Sequence, residues 1–199
     1  MNATVRARYD AVAMTLHWFI AALILLDFAL AISFSRFDPG SPLYFSFAYD
    51  QHMSVGMLVL VLSVLRLGWR LLHRAPPLPA EMGAPLRLLA RVSHAALYVF
   101  MLGAPLSGWV ILSVRKKPPP LAGNLSWPNL QFLTDLDHPH RTVIHDAFLP
   151  GHIWFSYAGM TLVALHVLAA LYHHYYSRDD VMRRMLPWMR LRQGPEGSP

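Results

Sequence analysis

The chain has 199 residues, of which 55% are hydrophobic and 14% are charged, and its net charge is +6. A soluble domain carries about a quarter charged residues, so this composition predicts a small integral membrane protein. The basic residues lie beside apolar runs, as topology signals do, and do not indicate a nucleic-acid partner. The sequence has no cysteine, which excludes disulfides, thiolate zinc sites, iron–sulfur ligation and C-x-x-C-H haem attachment.

Four apolar runs are long enough to cross a bilayer, which takes about 20 residues. The predicted spans cover residues 17–35, 52–72, 90–114 and 151–176, within a single membrane domain of residues 1–199. This pattern predicts an all-α, four-helix transmembrane bundle. The N-terminus is not typical of a signal peptide, because the apolar run after it is itself long enough to span.

Lys and Arg give the expected orientation. They are concentrated before the first span, between the second and third, and after the fourth. The positive-inside rule then places both termini in the cytoplasm of a bacterial inner-membrane protein. Arg115, Lys116 and Lys117 lie on the other side, against that rule. They are either a tolerated exception or an electropositive mouth that attracts an anion.

Two segments outside the spans have their own patterns. The outer loop of residues 115–150 is rich in Pro, Trp, Asp and His, which predicts an ordered cap, and its end (TDLDHPHRTVIHDAFLPGH) predicts a short separate helix. His138, His140 and His145 in this loop are solvated, cap a site or bind a metal. After the fourth span, DDVMRRMLPWMR predicts a short amphipathic helix on the cytoplasmic surface.

Four histidines form the most informative pattern. His152 and His166 are 14 residues apart, so in a helix they share nearly one face and differ in depth by about 21 Å. His17 begins the first span at the cytoplasmic end, and His52 begins the second at the outer end. The pairs at matched depth are His52 with His152 and His17 with His166. Two imidazoles from facing helices can be the two axial ligands of a haem iron.

Zinc fits this pattern less well, because tetrahedral sites are usually completed by carboxylate or thiolate. The only acid well inside a span is Asp27. A metal transporter that uses the histidines as relay ligands is a further alternative. Three glycines in the spans have two possible roles, close approach of a macrocycle or close helix packing. They are Gly56, Gly103 and Gly159.

Two more histidines lie near the cytoplasmic side. His94 opens the third predicted helix, and His173 follows His166 by seven residues on the same face. They can bind and protonate a quinone, since histidine titrates near neutrality, or they can bond propionates or interfacial water. Arg66 and Arg70 are propionate candidates by depth.

The chain resembles the bacterial cytochrome b561 family of four-helix, di-haem membrane proteins. The matching stretches are RYDAVAMTLHW, QHMSVGMLVLVLSVLRL, SHAALYVFMLGAPLSGW and, in the fourth span, GH followed by LHVLAALYHHYY. The resemblance implies two b haems with ligands at His17, His52, His152 and His166. The family includes a superoxide oxidase that passes electrons to ubiquinone, and its suspected quinone-side histidines match His94 and His173. The outer loop is the least similar part.

The function expected on this basis is an oxidoreductase that carries electrons across the membrane. Superoxide is the expected donor at the outer face, and ubiquinone is the expected acceptor near the cytoplasmic face. The alternative is a cytochrome b subunit that links a partner dehydrogenase or a periplasmic redox carrier to the quinone pool. The oligomeric state is left open.

Overall fold

The computed structural model describes residues 8–38, 40–73, 75–78, 82–122 and 125–191. Its long helices are α1 (Ala11–Ser33), α2 (Asp50–Leu72), α3 (Ala84–Val114) and α5 (His138–Tyr175), and α4 (Gln131–Thr134) is a single turn. A 3₁₀ turn, Phe34–Arg36, follows α1, and a π-helical segment, Tyr44–Tyr49, leads into α2. All four long helices are long and apolar enough to cross a membrane. The all-α, multi-pass prediction is confirmed.

The four long helices alternate in direction, so the bundle has two ends. We call the end where α1 and α3 begin and α2 and α5 finish the terminal end, and the opposite one the loop end. At the terminal end, Asp10 caps α1 by accepting a 2.8 Å hydrogen bond from the Ala13 N–H. This bond is the main reason that the pKa of Asp10 lies below its ordinary value. Trp69 Nε1 donates to the same carboxylate at 3.1 Å, which fastens the end of α2 to the start of α1.

The long helices pack in sequence order, α1 on α2, α2 on α3 and α3 on α5. The buried core lies between the two ends and consists of Ile20, Ile24, Val59, Phe100, Met101 and Ala104. Large apolar side chains cover the outside, as lipid contact requires; Leu25 is 60% exposed and Leu72 is 82% exposed.

All four long helices begin earlier than predicted. The first begins at Ala11 rather than at residue 17, so His17 lies inside α1 and does not begin it, and the second begins at Asp50 rather than at residue 52. The third begins at Ala84 rather than at residue 90, with a proline in its first turn, where a missing N–H costs nothing. His94 therefore lies well inside α3 and does not open it. The fourth begins at His138 rather than at residue 151.

The short separate helix predicted in the outer loop is thus the first part of α5. Pro150 removes one backbone hydrogen bond but does not end the helix. Arg141 holds this extension against α3, because its Nη1 donates to the Val114 carbonyl at 2.9 Å. The rest of the loop forms a hairpin of β1 (Pro120–Ala122) and β2 (Leu125–Ser126), followed by α4. Ser54 Oγ of α2 donates to the Pro120 carbonyl at 2.9 Å and fixes the hairpin.

The prediction of an amphipathic helix after the fourth span is wrong. Residues 177–191 form turns and one 3₁₀ turn, Arg183–Met185, that fold back on the terminal end. Their carbonyls are used by other parts of the chain: Trp18 Nε1 donates to Met185 O at 2.7 Å, and the Arg8 guanidinium donates to Leu186 O. Pro187 also prevents a continuous helix.

Candidate functional site

The structure brings the four key histidines together in two pairs. The ring centroids of His52 and His152 are 6.2 Å apart, and the ring planes make an angle of 76°. Those of His17 and His166 are 6.3 Å apart at 77°. We call these the loop-end pair and the terminal-end pair. Both partnerships are the ones expected from depth.

Each pair joins two helices that are not packed directly on each other. α5 supplies one histidine to each pair, whereas the partners come from α2 and α1. Within the described ranges, α5 packs closely on α3 and has at most sparse backbone contacts with α1 and α2. The histidines of each pair therefore face one another from helices whose backbones are not in close contact.

The loop-end pair has a defined set of neighbours. His152 Nδ1 lies 3.1 Å from the Ala104 carbonyl oxygen and 2.8 Å from Ser107 Oγ. Ser107 Oγ itself donates to the Ala104 carbonyl at 2.7 Å. A proton on Nδ1 satisfies the carbonyl and leaves Nε2 with a free lone pair. A backbone carbonyl holding one ring nitrogen is the usual support of a metal-ligating histidine.

His52 has a carboxylate as its neighbour. Its Nδ1 lies 2.8 Å from Asp27 Oδ1, toward the loop end of the apolar bundle. The two atoms are close but not aligned for a hydrogen bond, and neither bonds to anything else in the described part of the chain. Buried polar atoms without a partner are rare. The sequence shows that Asp27 lies inside a span, but it does not show the contact of Asp27 with His52.

The terminal-end pair lies in more basic surroundings. The His94 ring centroid is 5.6 Å from that of His166, so His94 lies beside the pair. Arg66 is an electrostatic neighbour of both His17 and His166, and its guanidinium lies 5.7 Å from the centre of the Tyr98 ring. His17 Nδ1 is buried and finds no hydrogen-bond partner among the residues described.

The geometry of both pairs fits axial ligation of haem iron. A transition metal bonded at about 2 Å to one nitrogen of each imidazole holds the ring centroids roughly 6 Å apart, as in both pairs. Across the described residues, no three His, Asp or Glu side chains are grouped to hold a metal ion. Two facing imidazoles suit a metal whose remaining ligands come from a macrocycle.

The basic cluster at the loop end divides into two parts. Arg115 and Lys116 are exposed. Lys117 is engaged instead: its Nζ lies 3.6 Å from Asp50 Oδ1 and 4.2 Å from the centre of the Tyr49 ring. Two of the three predicted residues are thus available to a dissolved anion, and the third ties the loop to α2.

Three other predicted histidines have local partners. His173 Nδ1 lies 2.5 Å from Asp179 Oδ2, which ties the end of α5 to the turn after it. At the loop end, His140 contacts Asp137 and His145 contacts Asp146 at 3.0 Å.

Two of the three glycines allow a side chain of a neighbouring helix to pack against their backbone. A Cβ on Gly159 lies 2.0 Å from Phe100 Cε2, and one on Gly103 lies 2.9 Å from Phe155 Cε1. A Cβ on Gly56 meets nothing within 4 Å. Close packing of α3 on α5 therefore accounts for Gly103 and Gly159, while Gly56 borders open space.

Comparison with known proteins identifies a family for most of the chain. The family model for prokaryotic cytochrome b561 matches residues 8–188. Cytochrome b561 homolog 2 of Escherichia coli (strain K12) is 30% identical over 90% of this chain and 91% of its own length. The probable superoxide oxidase CybB of Yersinia pestis is 26% identical over 92% of this chain and 98% of its own length. Cytochrome b562 of Cereibacter sphaeroides is 25% identical over 89% and 94%.

The family model covers most of the chain, and the relatives are matched over nearly their whole length. The four membrane-spanning helices fit the same assignment. The chain therefore belongs to the prokaryotic cytochrome b561 family, whose members are inner-membrane electron-transfer proteins that bind b haem.

Proposed function

We propose that this protein oxidises superoxide at the loop end and reduces ubiquinone near the terminal end, through two b haems. His52 and His152 hold one haem, and His17 and His166 hold the other. By the positive-inside rule the terminal end faces the cytoplasm. The loop end then faces the periplasm.

One observation carries the proposal: two histidine pairs with nearly equal ring spacings lie at opposite ends of one bundle. Haems held by two axial histidines supply one-electron exchange across the membrane without an open iron position. The chain's part is to fix both ligand pairs, and α5 does so by carrying His152 and His166 on nearly one face.

The donor is proposed from charge and from a relative. Superoxide is a small anion, and the exposed side chains of Arg115 and Lys116 lie at the loop end. Fixed positive charge raises the local concentration of an anion and its association rate. One relative, which matches almost the full chain, is named a probable superoxide oxidase. Superoxide needs only outer-sphere contact to lose its electron.

At the terminal end, the chain's part is to hold the acceptor and supply protons. Two superoxide anions lose one electron each and leave as dioxygen, while one ubiquinone takes up two electrons and two protons to become ubiquinol. His94 lies 5.6 Å from the His166 ring, centroid to centroid, and His173 lies nearer the terminal end on α5. Imidazoles can pass protons near neutral pH, so we assign these two histidines to the quinone side.

The test starts with a reduced-minus-oxidised absorption spectrum of the purified protein, with haem quantified per chain. We expect two low-spin b haems. Superoxide-driven reduction of ubiquinone is then measured in detergent, with His152→Ala as the variant that removes one ligand of the loop-end pair. We expect the variant to lose one haem and the activity together.

The outcomes separate the two functions considered. Two haems with rapid superoxide-driven quinone reduction support the proposal. Two haems with no superoxide reaction favour the alternative of a cytochrome b subunit that connects another dehydrogenase or carrier to the quinone pool. A preparation made with ample haem that contains none refutes the ligand assignment.

A further inference from the structure

Asp27 is an acidic residue in the interior of α1, which runs from Ala11 to Ser33. An ionisable side chain within a membrane span is costly, and it usually has a partner and a function. The Asp27 side chain is 19% exposed. The contacts of this carboxylate indicate its role.

Asp27 contacts the loop-end pair. Its Oδ1 lies 2.8 Å from Nδ1 of His52, and Asp27 is also an electrostatic neighbour of His152. A carboxylate on the second nitrogen of a ligating histidine fixes the ring orientation and makes the ligand more basic. Its negative charge also stabilises the more positive, oxidised form of a nearby metal.

The terminal-end pair has a neighbour of the opposite sign. Arg66 acts electrostatically on both His17 and His166. A positive charge favours the reduced form of a nearby metal. Among the described residues, side chains of opposite sign thus act on the two pairs, Asp27 at the loop end and Arg66 at the terminal end.

We propose that Asp27 is a positioning residue that holds the His52 ring and lowers the reduction potential of the loop-end haem below that of the terminal-end haem. This inference rests on the proposed function and adds the direction of electron transfer between the two haems. With the charges arranged in this way, an electron is more stable at the terminal end, and transfer from the loop end to the terminal end is downhill.

A redox titration of the purified full-length protein, followed by the visible spectrum, tests the inference. Asp27→Asn keeps the size and one side-chain oxygen but removes the charge. We expect the midpoint potential of the loop-end haem to rise by about 59 mV. This shift corresponds to a tenfold change in a one-electron reduction equilibrium. The terminal-end midpoint should move less. His152→Ala, which removes a loop-end ligand, identifies which midpoint belongs to which haem.

Two further variants serve as controls. Asp27→Glu restores the charge and should return the loop-end midpoint toward its original value. Asp146→Asn removes the same charge from an exposed position at the loop end, where Asp146 is 69% exposed, and it should leave both midpoints unchanged because solvent screens that charge.

The outcomes are distinct. Unchanged midpoints in Asp27→Asn, with both haems bound, overturn the inference and leave the proposed function intact. Loss of the loop-end haem in Asp27→Asn but not in Asp27→Glu supports a positioning role for the carboxylate. Loss in both variants overturns it, because side-chain packing then decides binding. A wild-type protein without haem refutes the inference and the proposed function together.

Discussion

At the scale of single residues, the second ring nitrogens of three proposed ligand histidines have three different surroundings. His152 is held by the Ala104 carbonyl and Ser107, His52 faces Asp27, and the buried Nδ1 of His17 has no partner among the described residues. These three imidazoles are thus chemically different although their residue type is the same. Differences of this kind set ligand basicity and metal properties.

Arg115 and Lys116 lead to a kinetic prediction. Replacing both with Gln should lower the second-order rate with superoxide and flatten its dependence on ionic strength, because steering by exposed charge is screened by salt. The measurement is superoxide consumption at several salt concentrations, with haem content checked first.

The matched control is Lys117→Gln, because the Lys117 amine is already engaged with Asp50 and Tyr49. We expect this variant to change the rate much less than the double variant does. Identical salt dependence in the wild type and the double variant would remove the steering role.

Sequence periodicity predicted both histidine pairs because the spacing on α5 is a property of a single helix. The contact of Asp27 with His52 was not predictable in the same way. It depends on how α1 is rotated against α2, which tertiary packing decides. The engagement of Lys117 likewise depends on where the π-helical segment places Tyr49.

At the scale of elements, the boundaries of α5 differ most from the prediction. Pro150 and Gly151 are ordinarily signals that end a helix, yet α5 continues through both. Contacts made far from this point, such as the bond of Arg141 to the end of α3, hold the extension in place. Local signals were therefore outweighed by packing between elements.

The contact between α3 and α5 gives a stability prediction. Gly159→Ala places a Cβ 2.0 Å from Phe100 Cε2, so Phe100 must move within the core. Overpacking of this kind typically costs about 1–3 kcal/mol. We expect a lower midpoint of thermal unfolding in detergent for this variant.

Gly151→Ala is the control in the same helix, since a Cβ there meets nothing within 4 Å. It should be neutral or slightly stabilising, because alanine is the better helix former. Equal unfolding midpoints for the two variants would show that Phe100 has room to move.

At the scale of the whole molecule, the proposed orientation rests on the distribution of positive charge. The native chain has no cysteine, so single introduced cysteines can be read without background. Ser126 at the loop end and Ser177 at the terminal end are both exposed. In bacteria with a permeable outer membrane and an intact inner one, an impermeant maleimide should label Ser126→Cys and not Ser177→Cys.

Labelling of Ser177→Cys after the inner membrane is opened serves as the control for reactivity. Labelling of Ser177→Cys in intact cells would reverse the orientation, and superoxide would then be oxidised on the cytoplasmic side. The membrane-spanning bundle itself was predictable from composition and apolar runs, because lipid restricts spanning segments to structures that satisfy their own backbone.

The length of α5 has a consequence for how this chain can vary. The helix has 38 residues and is about 57 Å long, well beyond a hydrocarbon layer of about 30 Å. Because His152 and His166 belong to this one helix, the helix fixes the distance between the two sites. Insertions in the hairpin or the C-terminal turns leave that distance unchanged. A single residue gained or lost between positions 152 and 166 turns one ligand by about 100° away from its partner.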